Sequence, residues 1–132
     1  MGISEKYKGL INGKDWQVGI LKCYENGLTA IFAEDTYFYV FEESVSRYTG
    51  FKNYAGNEIF EGDLLASRDK NHMEVSSVYW DDRAGQWKVG LPPFQDSFSS
   101  RDLENSLDSA IVGHIFTHQH LLQPSKIGTY KE

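Results

Sequence analysis

Short runs in which apolar and polar residues alternate, cut every few positions by turn residues, leave this chain little choice but an all-β fold. Trp16, Val18 and Ile20 fall on one face of an extended segment, and Gln17, Gly19 and Leu21 on the other. Leu28–Ala33 and Tyr37–Phe41 are short runs rich in strand formers. Tyr24-Glu-Asn-Gly27 separates the first two, and its Asn-Gly pair suits a hairpin turn that needs positive φ. Glu34-Asp35-Thr36 separates the next two and is again turn-like. Residues 7–42 therefore read as a three-stranded antiparallel meander. Three strands with one apolar face approach the minimum for stability, so this meander would gain from docking on something else. Aromatics make 14% of the chain, with 8 Tyr, 8 Phe and 3 Trp, and they push the same way. The Tyr and Phe side chains read as core.

Glu42–Arg47 fits a single helical turn or an extended linker, and a second unit begins at Tyr48. Asn53-Tyr-Ala-Gly56 and Glu61-Gly62-Asp63 are turns. Leu64-Leu65, Met73–Trp80, Gln86–Gly90 and Ile111–Phe116 are strand candidates, and Asp81–Gly85 is a polar hairpin loop. Leu91–Arg101 is a long loop rich in Pro and Ser. Leu103 and Leu107 lie four apart, so Asp102–Asp108 holds one helical turn. Short strands with turn signals at regular intervals predict a small sandwich or barrel. There is no internal repeat and no heptad pattern.

Composition closes off several classes. Apolar residues make 40% of the 132 and charged residues 24%, a folded, globular balance rather than a disordered one. One cysteine, Cys23, excludes an intramolecular disulfide and a thiolate zinc cluster. No apolar run approaches the roughly 20 residues that a membrane span needs. The start MGISEK carries no apolar secretory stretch, and Lys6 stands where a myristoylation motif needs Ser or Thr. These features predict a cytoplasmic protein without membrane contact.

Tyr48-Thr-Gly-Phe-Lys-Asn-Tyr-Ala-Gly-Asn-Glu-Ile-Phe-Glu-Gly-Asp-Leu-Leu65 resembles the central motif of the YopX family of bacteriophage and prophage proteins, which reads roughly YTGLKDKNGKEIYEGDIV. Gly13–Gly19 is similar to the family's opening, with Asp15 as an insertion, and Glu43–Arg47 to the segment before the central motif. Ile111–Phe116 followed by Leu121-Leu122 is similar to its closing segment. The tail departs: His114 stands where Asn is usual, and Thr117-His-Gln-His120 replaces the family's ENPE. The resemblance covers nearly the whole chain. It implies a C-terminal SH3-like barrel and no established biochemical activity. The architecture expected is a β-meander over 1–45 packed on an SH3-like barrel over 46–125, with a polar tail over 126–132.

The motif residues Tyr48, Thr49, Gly50, Gly56, Glu61, Gly62 and Asp63 read as specifying a fold rather than carrying chemistry. Gly50, Gly56 and Gly62 recur every six residues, each suited to a bend. Asp63 follows Gly62, where an Asp accepts backbone N–H bonds at a tight turn, and Ile59, Leu64 and Leu65 supply core.

Candidate chemistry is thin. His114, His118 and His120 match no ligand spacing on a single secondary structure, so they read as surface histidines, and no metal or other cofactor is expected. Cys23 has no His near it in sequence and reads as a small packed residue. Acidic residues are so many that a pair is expected by chance. No phosphate-binding loop and no Gly-x-Ser-x-Gly elbow occurs. The 19 Asp and Glu outweigh the 13 Lys and Arg, for a formal charge of −6, and the basic residues are scattered. Residues 34–63 hold seven acids against Arg47 and Lys52. Non-specific phosphate binding needs clustered cations, so none is expected, though Arg68 and Lys70 leave room for a local patch. The reading is a non-enzymatic protein–protein interaction module with a protein partner, acting through a barrel groove or a sheet edge. Homo-oligomerisation is left open. The alternatives are a nucleic-acid-associated regulator and an enzyme whose site is assembled between subunits.

Overall fold

The computed structural model describes residues 6–12, 15–66, 75–90 and 101–117. Eleven strands and two short 3₁₀ turns make up the regular structure of these residues. They are β1 (Lys6–Leu10), β2 (Trp16–Cys23), β3 (Thr29–Ala33), β4 (Thr36–Tyr39), β5 (Ser46–Lys52), β6 (Glu58–Phe60), β7 (Asp63–Ala66), β8 (Val75–Asp81), β9 (Gln86–Gly90), β10 (Arg101–Asp102) and β11 (Ala110–His114). The 3₁₀ turns are Glu42–Ser44 and Leu103–Ser106. The chain is all-β, with two antiparallel sheets in the orders β4-β3-β2-β1-β5-β6 and β10-β9-β8-β7-β11. It divides into two compact units, residues 1–50 and 51–132, with the division falling within β5. The expected start of a strand at Met73, the loop over 91–100 and the polar tail over 126–132 lie outside the described residues.

In the first unit, β2, β3 and β4 form the meander that the alternation indicates, with Ile20 opposite Phe32 and Ile31 opposite Phe38. Two strands join it that local patterning did not reveal. β1 pairs along its length with β2, Leu10 opposite Trp16, and β5 pairs with β1, Tyr7 opposite Arg47. Neither strand closes on a tight turn to its partner across β1 and β5, so turn chemistry gave no sign of that pairing. Ser44 completes it. The hydroxyl of this buried serine accepts the Leu10 N–H at 2.7 Å and donates to the Phe41 carbonyl at 2.6 Å.

The turn chemistry is distributed differently from the Asn-Gly expectation. Only Gly27 of Tyr24–Gly27 has positive φ, 93°, so that turn is not the mirror-image type. The mirror-image turn lies between β3 and β4, where Glu34 and Asp35 take φ of 52° and 64° without a glycine. L-residues hold that conformation at a cost. Asp35→Gly is expected to stabilise the protein by about 0.5–1 kcal/mol, after the extra chain entropy of glycine is discounted. A thermal melt showing a lower midpoint would contradict this.

Apart from Phe60, the buried core side chains among the described residues are aliphatic. Leu10, Ala30 and Ile31 are buried in the first unit. Ile59, Leu65, Val78, Val89 and Leu103 cluster in the second, with Phe51, Trp87, Leu107 and Ile111 packed against them. The expectation that Tyr and Phe supply the core holds for Phe60, which is buried, and Phe51, which packs against the second cluster, and is corrected for Tyr37, Tyr39, Phe41 and Tyr54, each about half exposed. Strand parity explains the first two. Tyr37 and Tyr39 lie opposite Phe32 and Ala30 on one face of the sheet, while Phe38 lies opposite Ile31 on the other. Phe32 and Tyr37 pack at 4.8 Å between ring centres, and Tyr24 and Tyr39 at 6.3 Å. Large rings there shield Ala30 on one side and meet water on the other. Partial desolvation, followed by the Tyr39 and Tyr37 phenols, raises the pKa of Tyr24.

Candidate functional site

The motif residues come first, since they are the most distinctive stretch of sequence. Tyr48, half buried on β5, lies under the Lys6 ammonium at 5.0 Å, and Thr49 is buried beside it. Gly50 and Gly56 have φ of 90° and 86°, with open space where a side chain would project. Gly62 differs. Its φ is 87°, its N–H donates to the Val78 carbonyl at 2.8 Å, and its own carbonyl accepts the Ile115 N–H at 2.9 Å. Asp63 is buried and accepts the Phe60 N–H at 2.7 Å, which closes the β6–β7 turn. The Glu61 carbonyl accepts from His114 Nε2 at 3.1 Å.

His114 is therefore not a surface histidine. It is 4% exposed, and its Nδ1 accepts the Phe116 N–H at 3.0 Å, which leaves Nε2 as the donor to Glu61. With both ring nitrogens committed to backbone, His114 fastens β11 to the Glu61–Asp63 turn. His118 and His120 lie outside the described residues, as do Arg68 and Lys70. Cys23 is exposed at the end of β2 rather than packed. Among the described residues no three His, Cys, Asp or Glu side chains are grouped to hold a metal ion. No helix among them is long and apolar enough to cross a membrane.

Asn53 is a structural residue that reading it as a simple turn position missed. Its amide donates to the Ser109 carbonyl at 3.1 Å, and its Oδ1 accepts the N–H groups of Ala55 and Asn57, each at 3.0 Å. The Tyr54 N–H adds a bond to the Leu107 carbonyl at 2.8 Å. The tip of the β5–β6 hairpin is thereby held on the segment that follows the second 3₁₀ turn. Nothing local in the sequence separates such a long-range Asn from an ordinary turn Asn.

Among the described residues, a candidate recognition feature lies in the second unit, at the end of β8 and β9. A cavity of about 230 Å³ is lined by Phe51, Trp80, Gly85, Gln86, Trp87, Asp102 and Glu104. Trp80 and Trp87 are register partners on the face that carries Val78 and Val89, so they extend the core face beyond the core. Their rings meet edge-to-face, 5.2 Å between centres and 71° between planes. Phe51 and Trp87 rest against the buried cluster, which fixes the floor. The rim is acidic. Asp102 accepts a hydrogen bond from the Gln86 amide and stands 3.7 Å from the Lys88 ammonium, which also lies 3.9 Å from Asp81. Glu104 is exposed on the 3₁₀ turn that Leu103, fully buried, pins to the core. The lining that is described carries two carboxylates and no cation. The sequence reading did not single out any of these residues. Their signal was Trp80 and Trp87 on either side of a polar hairpin loop, and it is legible only once the hairpin register is known.

A family model described as YopX protein matches residues 9–123. No curated protein matches the chain. Among solved structures it is similar to the crystal structure of protein yopX from Bacillus subtilis, with a TM-score of 0.55 and 16% sequence identity. That likeness covers 91% of this chain and 99% of the other, and at such identity it concerns the fold alone.

Proposed function

The chain belongs to the YopX family, and on that footing we propose that it is a non-enzymatic interaction module of phage or prophage origin, working in the cytoplasm. It holds a protein partner through the cavity that Trp80 and Trp87 line. The observation that carries this reading is the half-buried tryptophan pair on a rigid floor. Trp is among the side chains that dominate the energy of protein interfaces, because a large rigid ring loses little entropy on binding. At about 230 Å³ the cavity is smaller than the roughly 300–1,000 Å³ of sites for drug-sized molecules, so it suits a single side chain of a larger partner. Of the motif that marks the family, Tyr48–Leu65, Phe51 lines the cavity, while Gly56, Glu61 and Gly62 lie in the turns that join its strands.

Immobilised full-length protein is expected to retain a protein from lysates of the cells that carry its gene. That protein should bind again when purified, and the Trp80→Ala variant, folded by circular dichroism, should lose it. Retention that is identical in the variant would overturn the reading. The nucleic-acid alternative has its own measurement. Fluorescence-anisotropy titrations with random duplex and single-stranded oligonucleotides at two salt concentrations are expected to be flat, given the charge of −6. Micromolar binding that weakens steeply with salt would replace the interaction reading with a regulator.

A further inference from the structure

We infer that the Trp80–Trp87 cavity receives an arginine side chain of the partner, with its guanidinium held between the indole rings and the carboxylates of Asp102 and Glu104. The inference rests on the interaction reading above and names the chemistry of the group recognised. Three observations carry it. The floor is aromatic, with Trp80 and Trp87 edge-to-face and Phe51 beside them, and aromatic faces attract cations. The two ionisable groups in the described lining are carboxylates, so the charge complements a cation. The Glu104 side chain has no ion pair or hydrogen bond among the described residues and stands exposed on a turn that Leu103 fixes.

The choice of arginine over lysine follows from what already surrounds Asp102. Lys88 occupies its ammonium side at 3.7 Å, in a partly exposed pair of the kind that holds weakly. A second compact ammonium would compete for the same oxygen. A guanidinium is planar, less strongly hydrated and able to stack on an indole while its edge donates to two carboxylates at once. The chain itself places lysine ammonium groups over aromatic rings in its first unit, Lys8 over Trp16 at 4.7 Å and Lys22 over Tyr24 at 5.6 Å. Cation-on-ring contact is thus already part of how this sequence packs.

The test uses the full chain and three small probes: blocked arginine, blocked citrulline, which is the neutral counterpart of the same shape, and blocked lysine. The indole N–H resonances of Trp80 and Trp87 report the site, and that of Trp16, on β2, is the control. Blocked arginine is expected to shift Trp80 and Trp87 saturably and to leave Trp16 in place. Citrulline should bind about tenfold more weakly, since it lacks the charge-assisted bonds. Glu104→Gln, a change at an exposed position, should weaken arginine several-fold and leave citrulline unaffected. Equal binding of citrulline, equal or tighter binding of lysine, or the absence of a saturable shift at Trp80 and Trp87 would overturn the inference. Partner capture that needs Trp80 but survives Glu104→Gln and excess blocked arginine would also overturn it while sparing the interaction reading. Arginine binding as expected, with no capture dependent on Trp80, would instead remove the interaction reading.

Discussion

Gly62→Val is expected to destabilise the protein by about 2–4 kcal/mol, from two costs that fall at one position. The first is conformational. Gly62 holds φ of 87°, a region that L-residues rarely adopt and β-branched ones least of all. The second is steric. A Cβ built on Gly62 would lie 2.6 Å from His114 Nε2 and 2.9 Å from its Cε1. The ring cannot swing away freely, because Nδ1 accepts the Phe116 N–H and Nε2 donates to the Glu61 carbonyl. Moving it would leave buried polar groups without partners, at a further cost of about 1–3 kcal/mol. A domain of this size is stable by only about 5–15 kcal/mol, so the loss should be plain in chemical denaturation. Gly62→Ala combined with His114→Ala separates the two costs: it removes the collision and keeps the strained φ. A Gly62→Val protein with an unchanged midpoint would show that the turn can relax, and that the positive φ is not required.

Gly19→Ala should cost a comparable amount, about 2–4 kcal/mol, with no contribution from φ. Gly19 sits on β2 in ordinary extended backbone, opposite Tyr7 on β1. A Cβ there would collide with the Phe32 carbonyl oxygen of β3 and come within 2.8 Å of Ile31 Cγ2 and 3.1 Å of Ala33 Cβ. Ile31 is fully buried, and a backbone carbonyl cannot give way without disturbing the ladder it belongs to. The expected outcome is a lower denaturation midpoint together with faster amide exchange in β2 and β3. Gly19→Ala of native stability would mean that β2 and β3 separate more readily than their register implies.

These two glycines divide what was legible in the sequence from what was not. Gly62 announced itself, because it sits between Glu61 and Asp63 in a stretch of turn residues, and such a glycine is used for its backbone freedom. Gly19 gave no sign, since within an alternating run it reads as one more outward position. Its reason is the proximity of a neighbouring strand, which no local pattern reports. The cavity belongs to the second kind. Trp80 and Trp87 lie on either side of the Asp81–Gly85 loop, and pairing them requires the hairpin register that sets Trp80 opposite Trp87. Asp102 and Glu104 arrive from beyond a ten-residue stretch of sequence, through the pairing of β10 with β9.

By itself, then, the sequence determined the all-β class, the meander of β2 to β4, the turn at Gly62 and Asp63, and family membership. All of these rest on short-range rules: alternation with a period of two, turn residues that accept unusual φ, and a continuous motif. Tertiary structure alone decided that β1 lies between β2 and β5, that the histidine at 114 is a buried clasp rather than a surface group, and that aliphatic side chains and Phe60 fill the cores while many rings line their outside. It also assembled the aromatic and acidic cavity from Phe51, the β8–β9 hairpin and the 3₁₀ turn at Leu103. The physical reason is common to all of these. Burial and partnership depend on which distant segments pair and in what register, and a one-residue slip would send every side chain of a strand to the opposite face.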